Sequence, residues 1–188
     1  MNNNLFHIRK LFIRLLPMLL MFEVCRLIFL IFNWSYFGIL PRVEVASAFY
    51  YGLLFDISAI IYFNILFILL HLIPTNWRDT KYYQLSLKVI YFIANGAALL
   101  ANIMDTEYFK FSGKRTGIEF FKIKSEVGSM FLSYLKDFWY LFIIWIVMLY
   151  ALYLLYKLTL KQNHSVLKLK DVIIQSILWI IVLFVFGI

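Results

Sequence analysis

Leu11-Phe12-Ile13-Arg14-Leu15-Leu16-Pro17-Met18-Leu19-Leu20-Met21-Phe22-Glu23-Val24-Cys25-Arg26-Leu27-Ile28-Phe29-Leu30-Ile31-Phe32-Asn33 is long enough and apolar enough to cross a lipid bilayer. A span needs about 20 mostly apolar residues at helical rise to cross roughly 30 Å of hydrocarbon. Four further stretches qualify: Val45 to Ile73, Tyr82 to Met104, Tyr134 to Tyr156 and Val172 to Ile188. Lipid offers no partner to backbone N–H and C=O groups, so each stretch is expected to be a helix. The fold class is therefore all-α, a polytopic membrane domain of five transmembrane helices covering residues 1–188. The whole composition agrees. Of 188 residues, 64% are hydrophobic and only 15% charged, which excludes a water-soluble fold of this size. Twenty Phe, 13 Tyr and 5 Trp exclude a disordered chain.

The net charge of +8 then has a membrane explanation, basic residues facing anionic headgroups, and implies no nucleic-acid partner. Placing the N-terminus in the cytoplasm puts ten Lys and Arg at the inner side against seven at the outer, which sets the expected orientation. Arg9 and Lys10 resemble the start of a signal peptide. The apolar run is too long for one, however, and Glu23 and Arg26 interrupt it, so a retained anchor is expected. The chain ends on Phe186-Gly187-Ile188 with no polar flank, which reads as a fragment cut before an outer domain.

Glu23, Arg26 and Asp56 are the charged residues expected well inside the spans. They lie about 10, 7 and 11 residues from the outer ends, or roughly 10–16 Å deep at helical rise. Glu23 and Arg26, three apart, share a helix face and can pair; Asp56 lies within reach of Arg26 by depth. Two readings stay open: a polar clasp holding the first three helices together, or a pocket meeting a lipid headgroup. Asn95 and Asn102 are expected in the same half of the membrane.

The expected outer connection runs from Asp105 to Leu132. After Gly117, Phe120, Ile123, Val127, Met130 and Phe131 recur at helical spacing, which fits an amphipathic helix lying in the interface between the third and fourth spans. Lys114 and Arg115 can hold a phosphate at the outer surface or simply touch anionic lipid. Enzyme signals are weak. One cysteine and three scattered histidines exclude disulfides and His/Cys metal motifs, and the histidines read as headgroup-level or loop side chains. Ser112-Gly113-Lys114-Arg115-Thr116 lacks the upstream glycine and the Ser or Thr after the lysine that a phosphate loop needs.

Gly52-Leu53-Leu54-Phe55-Asp56-Ile57-Ser58-Ala59 resembles the Gly-x-x-Phe-Asp-x-Ser segment in the second membrane helix of the lipoteichoic acid synthase-like family. Asn102-Ile103-Met104-Asp105-Thr106-Glu107-Tyr108-Phe109, through Lys114-Arg115-Thr116, is similar to the segment after that family's third helix. The likeness implies the membrane half of a sulfatase-type phosphoglycerol or phosphoethanolamine transferase of a bacterial cytoplasmic membrane. It further implies an extracytoplasmic catalytic domain, attached or separate, with a threonine nucleophile and a divalent metal, manganese or zinc. That domain and its metal are expected outside this chain, whose own role would be to anchor the enzyme and present its lipid. Glu23, Arg26, Asp56, Asp105, Glu107, Lys114 and Arg115 are then the candidates for headgroup binding or domain docking. Where family members often carry arginine, this chain has Leu54; Arg26 is the expected substitute for that charge. The rival reading is a small membrane protein of another class, such as the substrate-binding subunit of a transporter, with Glu23, Arg26 and Asp56 as its ligand site.

Overall fold

The computed structural model describes residues 3–73, 76–115 and 136–158, with positions 173, 174 and 177. The described residues are helical, without strands. They form α1 (Asn3–Phe32), the short α2 (Trp34–Phe37), α3 (Arg42–Phe63), α4 (Ile65–Leu72), a 3-10 turn (Asn76–Asp79), α5 (Lys81–Ser112) and α6 (Trp139–Lys157). Four of these, Ile8–Phe32 within α1, then α3, α5 and α6, are long and apolar enough to cross a membrane. The expected fifth span and interfacial helix lie outside the described residues.

Helix α1 is the hub and packs against α3, α4, α5 and α6. Asn33 meets Thr106 and Arg14 meets Gln84, so α1 and α5 run in the same direction. Arg26 meets Asp56 while Arg14 meets His71, so the α3–α4 run is antiparallel to α1. Phe32 stacks on Tyr140 and Arg14 lies over Tyr156, which makes α6 antiparallel as well. The spans thus alternate up and down. Side chains such as Met18, Phe67, Leu99, Ile103 and Leu152 fill the centre, while Phe12, Ile31, Phe55 and Ile93 cover the outside. Outward apolar side chains are what lipid solvates without cost.

Three boundaries differ from expectation. The run expected as one helix from Val45 to Ile73 is interrupted at Asn64, whose backbone leaves helical geometry at φ −100° and ψ 11°. The Asn64 amide donates to the Ile60 carbonyl and to Asn95 Oδ1, and such side-chain bonds compete with the helical ladder. The third helix does not stop near Met104 but continues to Ser112, turning into the left-handed region at Gly113 (φ 65°). Asp105, Thr106 and Glu107, expected to begin a connection, are buried helix residues. The two carboxylates do not end the helix, because Arg115 and Lys110 supply partners, and the Thr106 backbone carbonyl accepts from the Asn33 amide.

The third difference is in α1, which begins at Asn3 and passes through Pro17 unbroken. A proline removes one N–H from the ladder of the preceding turn. The carbonyl left without that donor is Ile13's; beside it, the Tyr91 hydroxyl donates to the Arg14 carbonyl at 2.7 Å. Gly96 on α5 lets α6 approach closely, and the Trp145 indole donates to the Gly96 carbonyl at 2.9 Å.

Candidate functional site

Gly52 and Asp56 are four residues apart on α3 and share a face. That face receives Arg26. Its Nη2 donates to Asp56 Oδ2 at 2.6 Å and its Nη1 to Glu23 Oε1 at 2.5 Å. Nη1 also reaches the Phe49 carbonyl at 3.4 Å, and the guanidinium carbon stands 5.6 Å from the Phe49 ring centroid. The missing side chain at Gly52 makes this approach possible: a Cβ built there would fall 2.3 Å from Arg26 Cζ. Glycine supplies the space and Asp56 the charge. Leu54 is half exposed, and the charge beside Asp56 comes from α1.

Helix α5 delivers the second arginine. Gly113 ends the helix, and Arg115 folds back so that its Nε donates to Asp105 Oδ2 at 2.8 Å and its Nη2 to Asn102 Oδ1 at 2.9 Å. Asp105 and Asn102, one turn apart on α5, thereby hold one guanidinium from two sides. The arginine also lies 5.7 Å from the Phe29 ring. Its side chain remains 54% exposed and Nη1 makes no hydrogen bond among the described residues, so donors are left for a ligand.

Arg26, Asp56 and Arg115 line one groove of about 450 Å³ between α1 and α3. Apolar side chains, including Phe29, Leu30, Phe37, Phe49 and Phe55, make most of its wall, and Glu44 lines it from the first turn of α3. Phe29, Phe37 and Tyr36 converge on Phe109, an aromatic cluster that joins α1, α2 and α5 beside the groove. Phosphate recognition by guanidinium groups within an apolar wall is chemically available here.

The expected candidates divide. Glu23, Arg26 and Asp56 come together, but their ion pairs join α1 to α3 only; the anticipated clasp on three helices is not formed by these residues. Helix α5 is tied to α1 separately, where the Asn33 amide donates to the Thr106 carbonyl. Asp105 stands behind Arg115. Glu107 pairs with Lys110 at 2.7 Å, next to Phe32, and is not among the residues lining the groove. The Lys114 side chain is exposed, among the described residues only its backbone is engaged, through Ser112, and it is not among the residues lining the groove. Asn95 pairs with Asn64 by two reciprocal 2.8 Å bonds, away from the arginines.

Other residues escaped the sequence reading. Glu44 and Gly52 carry no local signal beyond Gly52's place in the motif. At the opposite end of the bundle Arg14 is fully buried, its guanidinium bonded to Gln84 at 3.2 Å, 3.4 Å from His71 Nδ1 and over the Tyr156 ring at 4.5 Å. Arg14 was expected at the inner surface and His71 at headgroup level or in a loop; both are core residues. The charge at position 14 is tolerated because three other helices, α4, α5 and α6, bring polar or aromatic partners to it.

Among the described residues no three His, Cys, Asp or Glu side chains gather as a metal site, and Glu23, Asp56 and Asp105 are each bonded to an arginine. These residues do not fit a resident divalent ion. Comparison with protein-family models, curated proteins and solved structures finds no match for this chain.

Proposed function

We propose that this chain is the membrane-anchoring, lipid-presenting portion of a phospho-headgroup transferase of the sulfatase type. It would sit in a bacterial cytoplasmic membrane with its N-terminus inside. One observation carries the reading: a largely apolar groove between α1 and α3 holds two guanidinium groups at fixed positions, Arg26 and the half-exposed Arg115. Acyl and glycerol parts of a phospholipid suit the Phe-rich wall, and the phosphate suits Arg115, whose Nη1 keeps its donors. The two motif segments that resemble the transferase family supply Gly52, Asp56, Asp105 and Arg115, four of the residues that build this corner. Chemistry on the headgroup is assigned to an extracytoplasmic domain with its own metal, manganese or zinc. This chain's part is to hold the lipid and orient it.

The test uses the purified chain with phosphatidylglycerol and phosphatidylethanolamine. It should retain phospholipid through detergent exchange, lose most of it on Arg115→Ala, and release no headgroup phosphate with or without manganese. Headgroup release by this chain alone would overturn the division of labour. Retention of a water-soluble solute in place of lipid would favour the transporter-subunit reading.

A further inference from the structure

The charges of the groove specify more than a phosphate. Four charged side chains line it: Arg26, Arg115, Asp56 and Glu44. Behind them Glu23 binds Arg26 and Asp105 binds Arg115. Four carboxylates therefore face two guanidiniums, and the balance around the site is negative. Each arginine is already committed to at least one carboxylate, whereas Glu44 is exposed and enters no ion pair among the described residues. An anionic headgroup such as phosphoglycerol brings only negative charge to this wall. A headgroup that joins a phosphate to an ammonium meets both signs.

Geometry orders the two ends. Asp56 lies twelve residues into α3 from Glu44, about 18 Å deeper along the helix. Its oxygen is held by Arg26, so the available carboxylate lies at the end of α3 where the chain enters the span. That is headgroup level, where an ammonium would sit.

Resting on the lipid-presenting reading above, we infer that the α1–α3 groove selects a zwitterionic phospholipid bearing a primary ammonium, with Arg115 on the phosphate and Glu44 on the ammonium. A primary ammonium has three N–H donors for the carboxylate, and the pair lies at an exposed rim, so its contribution is modest. Glu44 thus acts on choice between lipids more than on total binding.

The experiment adds equal amounts of phosphatidylethanolamine and phosphatidylglycerol to the full chain in a neutral detergent. Native mass spectrometry then reads the ratio of the two lipids retained. Wild type should be enriched in phosphatidylethanolamine. Glu44→Gln should lower that enrichment roughly two- to fivefold, the range of an exposed ion pair, and Glu44→Lys should invert it. Glu44 is on the surface, so both variants should fold; unchanged thermal midpoints verify this. Enrichment in phosphatidylglycerol, or a ratio indifferent to position 44, overturns the inference while leaving lipid presentation standing. If neither lipid is retained, and Arg115→Ala changes nothing, lipid presentation fails and this inference with it.

Discussion

The guanidinium of Arg26 occupies the space that a side chain at Gly52 would need: a Cβ at position 52 would lie 2.3 Å from Arg26 Cζ and 2.6 Å from Nε. One helix thus lends a cation to another through a missing methyl group. Asp56, one turn further along α3, makes that loan specific by accepting Nη2.

Gly52→Ala should therefore expel the guanidinium and weaken the Arg26–Asp56 pair. The expected loss is about 1–3 kcal/mol, as for a side chain forced into filled space. Thermal unfolding in detergent measures it. On an Arg26→Ala background the same substitution should cost almost nothing, because the space is already empty. Equal costs on both backgrounds would show that Arg26 does not rest against Gly52.

Arg26→Met and Asp56→Asn should be coupled. Interhelical polar contacts in membranes contribute about 0.6 kcal/mol on average and up to about 1.7, and this charged pair should fall near the upper figure. A double-mutant cycle on unfolding free energy reads the coupling directly. Additive effects would remove the pair from any account of how α1 meets α3.

The reciprocal amides of Asn64 and Asn95 make two 2.8 Å bonds between fully buried side chains at the break between α3 and α4. Asn95→Leu should destabilise by about 1–3 kcal/mol, since the Asn64 amide is left with unmet donors and acceptors in an apolar core. Asn64→Leu with Asn95→Leu should cost less than the two single changes added together. A fully additive double variant would contradict the pairing.

Topology can be probed with the chain's one cysteine. Cys25 is 2% exposed, with its sulfur 3.9 Å from Met148 Sδ, so a water-soluble maleimide should not label it from either side. Lys114→Cys should be labelled from outside the cell and Lys157→Cys only after the membrane is opened. The reverse pattern would place the N-terminus outside and refute the proposed orientation.

Membrane spans are legible in the sequence because burial in lipid demands only a local property, a sustained apolar run. That property located α1, α3, α5 and α6, and it missed chiefly where a polar residue changed nothing or changed too much. Asp105 to Glu107 were read as the start of a connection, but Lys110 one turn on and Arg115 folding back past Gly113 pair the two carboxylates while the helix continues. Asn64 was hidden within an apolar stretch, although it breaks the helix, because its partner Asn95 is 31 residues away.

The candidate site was legible in part. Arg26 and Asp56 were found by depth, since an isolated charge in lipid is costly and must have a partner. Their link to Glu44 and Arg115 in one groove required knowing which faces of α1, α3 and α5 meet. Lys114 illustrates the limit: adjacent to Arg115 in sequence, it points elsewhere once Gly113 has turned the chain. Sequence alone thus determined that this polypeptide has helices long and apolar enough to cross lipid and which charges must be sheltered, because the solvation cost of each residue is its own. Only the tertiary structure decided that Arg14 and His71 lie in the core, that Gly52 yields its space to Arg26, and that Glu44 faces the groove. Those outcomes depend on distances between helices, and no single segment carries them.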